Sequence, residues 1–547
     1  MAEQSSFYIT NLPLGLGMVI LLFAIFYYIG WMSARKTATT GDLYAAGFTI
    51  GPVTNGLAMA ATWASLATFM GLSGLILALK APFVFLWIQW AISIPLIVVL
   101  YGATLRRMEV YTPASFIKMR YGNSCTVVVA GWMILTMIMY ALGQMIGLGQ
   151  AFEILFGIPY VTALIIAGLA TVGFITLGGM LGASYNAAFQ MVVMTLALVA
   201  PMGAIMKAMG SSGWWFPPLA YGDMVPAMLA AVPDFFDTHY DFRWYFALIP
   251  AFTLGPIALP HLAMRVFTAS SVKSARWAVV WFNLTLGLLF SGGYITGFAG
   301  NYYTAITGTP VAKPDQIVFI LNVIYNPEWV TAFVVGGALA AGLSTVSGNL
   351  MAIAALVGHD IMGILAPKMD AKMKLRIGYV ALGAGGLAAV ILAFNPPAFL
   401  VTSILWAFGL IASTVTPAIL LGVWWKEANR LAMMISSLVC GIVYIVISPH
   451  VIPSIVVGTG VTAKLGMSGG LVTIPLSFAM FIILSIIFNR IGALSSFAPT
   501  EEDKRLIDRI HGWGNDYNEK RYAGITWPLV AAAVCLIITY WGLMPWQ

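Results

Sequence analysis

Of the chain's 547 residues, 61% are hydrophobic and only 8% are charged, against roughly a quarter charged in an ordinary soluble domain, which excludes a soluble globular protein. The net charge of +7 and pI near 9.1 would suggest a nucleic-acid partner only in a soluble chain; here apolar runs of twenty residues or so recur, and no nucleic acid is expected. Cys125, Cys440 and Cys535 lie far apart without CxxC spacing, so neither a disulfide framework nor a metal–thiolate site is indicated.

Taking about 20 apolar residues per crossing, the chain reads as an all-α polytopic membrane protein with about fourteen helices. TM0 covers 12–33, TM1 49–78, TM2 82–104, TM3 124–155, TM4 158–177, TM5 183–207 and TM6 243–268. TM7 follows at 275–304, TM8 at 330–363, TM9 at 375–393, TM10 at 397–424, TM11 at 428–449, TM12 at 470–490 and TM13 at 525–545. The 55 glycines and 27 prolines suit packed membrane helices, whereas a β-barrel would alternate in ten-residue segments. Residues 1–11 carry no Lys or Arg, so the basic region of a cleaved signal peptide is missing and TM0 is expected to be retained.

With the N-terminus outside, 21 of the 26 Lys and Arg residues fall on one side, and only Lys80, Lys207, Arg243, Lys313 and Lys464 on the other. This asymmetry predicts an even helix count with both termini outside, in a cell membrane of the bacterial inner type. Two connecting segments stand out. Residues 208–242, with Trp214 and Trp215, are expected to form a short lid or surface helix; 491–524, mixing both charge signs, read as a solvated cytoplasmic connection.

TM1 contains LAMAATWASLATFMGLSG at 57–74, with Thr62, Ser65 and Thr68 at bilayer depth and no charge between 49 and 79. We expect this helix to unwind at its centre. TM6 is interrupted by Gly255, Pro256 and Pro260. Two discontinuous helices, five helices apart and therefore of opposite orientation, predict a five-plus-five inverted repeat with its site at the midplane. The predicted layout is 12–33 peripheral, 49–207 the first repeat, 243–424 the second, and 428–545 peripheral.

TM8 aligns Gly337, Ala341, Ser344, Thr345, Gly348 and Ala352 on one helical face. Its two hydroxyls either bond back to their own helix or, with carbonyls freed by an unwound TM1, ligate a small cation. Away from span ends the only intramembrane carboxylate is Glu153, and His261 reads as structural; proton coupling is disfavoured. An anionic solute could instead meet a half-helix N-terminus and a nearby bound cation, with Gln144 of TM3 as a further polar group. The GAGGLA at 383–388 matches a nucleotide fingerprint formally, but no strand precedes it.

GPIALPHLAMRVFTASSVKSAR in TM6 resembles the GxxxxPHxxxRxxTxxxxxxAR signature of the sodium:solute symporter family, and TPAILLGVWWKEANRLA in TM10 resembles that family's P-x-x-L-G-x-x-W-[KR] ending. RRMEVYTPASFIKMRYG, YALGQMIGLG and TLGGM agree, so the resemblance spans most of 35–430. The wording is most similar to the acetate permease and monocarboxylate branch. The resemblance implies a sodium site at Ala61, Ala64, Ala341, Ser344 and Thr345, with Trp63, Ser65, Thr68 and Gln144 at substrate positions. Some members hold a second sodium through a TM5 aspartate; Ala187 stands there in SYNAAFQ, which implies one Na+.

The expected function is therefore sodium-coupled import of a small organic anion such as acetate, propionate or pyruvate, with no enzymatic activity. A sodium symporter for a sugar or amino acid, or a transporter-like sensor or channel, is the alternative. The bilayer and a small-molecule solute are the expected partners; whether a small membrane subunit accompanies the chain is left open.

Overall fold

The computed structural model describes residues 12–35, 45–80, 93–175, 179–211, 217–236, 249–397, 399–448, 469–512 and 533. These residues are almost entirely helical. Nine unbroken helices among them are long and apolar enough to cross a membrane, and one more span is broken. Half of predicted TM2, TM13 apart from Ala533, and both Trp214 and Trp215 lie outside the described residues.

TM0 is α1 (Leu12–Ala34). TM1 consists of α2 (Pro52–Trp63) and α3 (Ala67–Leu79), which meet at 64°. Ala64 ends α2 with ψ at 83°, turning its carbonyl off the helix axis. The Ser65 hydroxyl then accepts from the Ala67 N–H at 3.1 Å, a local bond that competes with helical pairing, and α3 opens with a wide π turn over Ala67–Gly71. TM6 divides similarly into α4 (Ile249–Ala258) and α5 (Pro260–Phe267). Pro256 and Pro260 each remove an N–H donor, and Leu259 between the halves is extended.

The two broken helices are joined where α2 begins and α5 ends. The Ile50 N–H donates to the Thr268 carbonyl at 3.2 Å, and the Ser270 N–H to the Ile50 carbonyl at 3.0 Å. TM8, α6 (Glu328–Leu365), is the most enclosed span, with 89% of its central window buried against 28% for α1. That contrast makes TM8 the far more enclosed of the two. Glycines allow the central approach: a Cβ on Gly348 would stand 3.0 Å from the Thr62 side chain, and one on Gly337 would collide with Ala197.

The 491–524 connection departs from the sequence expectation. Its α7 (Glu501–His511) opens with a capping box at Thr500 and Asp503 and buries Leu506, Ile507 and Ile510. Lys426–Asp508 (2.7 Å) and Lys504–Glu427 (3.2 Å) ion pairs tie its polar edge to the end of TM10. Mixed charge disguised an amphipathic docked helix as a solvated loop.

Candidate functional site

The bend in TM1 releases backbone groups that a continuous helix would pair. The Ser65 N–H, which would serve the Ala61 carbonyl, donates instead to the Trp63 carbonyl at 2.9 Å. The Leu66 N–H, which would serve Thr62, donates to Gln144 Oε1 at 3.0 Å. TM8 takes both freed carbonyls: the Ser344 hydroxyl lies 2.7 Å from the Ala61 carbonyl and 2.9 Å from that of Ala341, and the Thr345 hydroxyl donates to Thr62 at 3.2 Å. All five residues are fully buried.

Thus Ala61, Ala341 and Ser344 present oxygens to one another, Thr345 joins through the Thr62 carbonyl, and Ala64 stands at the break with its carbonyl rotated away from helical geometry. Carbonyl and hydroxyl oxygens are hard, neutral ligands. Such a set suits a small monovalent cation, since a hydroxyl can donate to a carbonyl or turn its lone pair to an ion.

The other residues expected at the site differ in what they leave free. Gln144 holds the broken backbone with its oxygen, while its amide nitrogen has no partner. The Thr68 hydroxyl is buried and unpartnered. Ser65 is engaged locally with Ala67. Trp63 donates its ring N–H to Ser93 at 2.8 Å and packs against Phe282 and Phe290, so it offers ring surface. His261 is buried with both nitrogens unpartnered, its ring edge-on to Tyr140 at 5.2 Å.

Three polar residues were not legible from the sequence. Arg265, counted by position among the cations of the basic side, turns its side chain into the protein and is 1% exposed. Its Nε donates to the Thr62 hydroxyl at 3.1 Å, and Nη1 to the Ser184 hydroxyl at 2.8 Å. Asp315, between TM7 and TM8, is 1% exposed and accepts from the Leu400 N–H at 3.1 Å. Next to it Lys313 pairs with Glu153 at 2.7 Å, so the 313–316 turn joins TM3 and TM10. Burial pushes the Asp315 carboxyl up from 3.8 to about 7. At the far end of TM8, Asp360 accepts from Thr112 at 2.6 Å and Ser115 at 2.7 Å.

A model of the sodium:solute symporter family matches residues 43–440. A Bacillus subtilis (strain 168) protein described as the uncharacterized symporter YwcA is 26% identical over 442 residues, covering 77% of this chain and 84% of its own length. Among solved structures, a Na+-coupled sialic acid symporter in its substrate-bound outward-open state superposes with a TM-score of 0.70 at 15% identity, over 87% of this chain and 98% of that one. Mhp1, a nucleobase-cation-symport-1 family transporter in a closed conformation with bromovinylhydantoin bound, gives 0.52 at 13% identity, over 86% and 100%. At such identities the structural likeness concerns the fold, the inverted-repeat core with TM1 and TM6 broken.

Proposed function

Because the chain belongs to the sodium:solute symporter family, and is therefore an integral membrane transporter and no enzyme, we propose that it couples sodium entry to uptake of a short-chain monocarboxylate such as acetate, propionate or pyruvate. One observation carries the coupling part of this reading: the break in TM1 frees the Ala61 and Thr62 carbonyls, and the adjacent hydroxyls of Ser344 and Thr345 meet them. In our reading Ala61, Ala64, Ala341, Ser344 and Thr345 ligate one sodium ion. With Ala187 fully buried on TM5 in place of an acid, no second ion is invoked.

Gln144 and Thr68, with unpartnered donors beside the break, receive the carboxylate in this proposal, Ser65 lends its hydroxyl once released from Ala67, and Trp63 walls the site. Hydrogen-bond donors without a local carboxylate favour an anion over a cation. Residues 49–207 and 243–424 act as the two repeats that rock around the site, both termini facing outward from a bacterial inner membrane. Sodium binding orders the broken TM1 and the solute completes closure. One sodium with one monoanion moves no net charge, so membrane potential, worth about 2.3 kcal/mol per charge per 100 mV, would not drive the cycle.

The substrate class is tested by thermal-shift screening of purified protein against small acids, sugars and amino acids, with and without sodium. A ligand of the folded state raises the melting temperature. Stabilisation by acetate or pyruvate that requires sodium is expected; stabilisation by a sugar or amino acid alone would replace the substrate assignment.

A further inference from the structure

Arg265 presents an electrostatic imbalance. Its guanidinium is permanently charged, buried, and among the described residues bonded only to neutral acceptors: the hydroxyls of Thr62 and Ser184, and Met180 Sδ at 3.5 Å. Its Nη2 is buried without a partner. Among the described residues none of the ion pairs includes Arg265. Removing a charge from water without a counter-charge costs several kcal/mol even after relaxation.

A second observation lies one turn away on the same helix face, where both ring nitrogens of buried His261 are also unpartnered. Ala187, one turn beyond Ser184 on TM5, contributes no charge. The described residues thus meet this fixed cation with neutral acceptors and supply no acid to neutralise it.

We propose that Arg265 is the fixed cation of an anion subsite at the Thr62 end of α2, where its free Nη2 takes a small monovalent anion, either a carboxylate or chloride. The carboxylate source rests on the substrate class proposed above; the chloride source does not. Thr62 connects this subsite to the sodium site, because its hydroxyl accepts from Arg265 at 3.1 Å while its carbonyl accepts from Thr345 at 3.2 Å. Two cations flanking one residue repel each other strongly in a low-dielectric interior. An anion at Arg265 relieves that repulsion, so anion and sodium strengthen each other's binding by the same factor.

The test is a sodium titration of the purified full-length protein, followed by melting temperature at constant ionic strength, in gluconate, chloride or acetate. The sodium concentration for half-saturation should fall at least about fivefold when chloride or acetate replaces gluconate. Arg265→Gln should lose the chloride effect, and any acetate effect that remains in it belongs to Gln144 and Thr68. Ser184→Asp, which places a carboxylate beside the guanidinium, should bind sodium tightly in gluconate and ignore chloride; it decides the matter if Arg265→Gln does not fold. An acetate effect that Arg265→Gln abolishes identifies the carboxylate source, and an effect of chloride alone keeps the subsite while the monocarboxylate reading fails. Identical wild-type titrations in all three anions, or anion effects that all survive Arg265→Gln, would overturn the proposal.

Discussion

The hydroxyl of Ser344 lies 2.7 Å from the carbonyl of Ala61, a contact possible only because TM8 is small where it meets the break in TM1. Gly348 is part of that clearance, its absent Cβ lying 3.0 Å from the Thr62 side chain. Gly348→Val should force the helices apart and raise the sodium concentration for half-maximal uptake several-fold, with milder loss in Gly348→Ala. A sodium titration of uptake in proteoliposomes checks this, and a Val variant with wild-type sodium dependence would show that close contact is dispensable.

Gln144 holds the unwound segment by accepting from the Leu66 N–H. Gln144→Leu leaves that donor buried and unpaired, at a cost of about 1–3 kcal/mol. Gln144→Glu retains the acceptor. Thermal melting in the absence of substrate should rank wild type and Gln144→Glu well above Gln144→Leu; equal melting temperatures would reduce Gln144 to a substrate contact alone.

Asp315 predicts a pH dependence of definite sign. Its carboxyl titrates near 3.8 when exposed and at about 7 in the folded protein. Between these values the native state holds a proton that the unfolded state has released, so stability falls as pH rises from about 4 to 7 and then levels off. The full change is on the order of 4 kcal/mol, because each tenfold difference in proton affinity is worth about 1.36 kcal/mol. Asp315→Asn removes this contribution, so its melting temperature should gain on that of wild type across the same interval. Parallel pH profiles would mean that Asp315 is ionised at both ends of the range.

The broken helices were legible because their causes are local: Pro256 and Pro260 withhold donors in TM6, and small and hydroxylated residues crowd the centre of TM1. The small face of TM8 was legible through helical spacing. What escaped were side chains whose setting depends on distant partners. Arg265 near a span end reads as an interfacial cation until Thr62 and Ser184 turn it inward. Asp315 reads as a loop acid until Leu400 and the side-chain-free surface of Gly74 enclose it. Likewise, the mixed charges of 501–511 conceal an apolar face that only the end of TM10 reveals.

The proposed sodium site lies where TM1 unwinds against TM8. Its most direct test is the sodium dependence of solute uptake by wild type and Ser344→Ala in proteoliposomes. Removing this one hydroxyl should raise the sodium needed for half-maximal uptake about tenfold, equivalent to ~1.4 kcal/mol of lost binding. Sodium dependence unchanged by Ser344→Ala would contradict it.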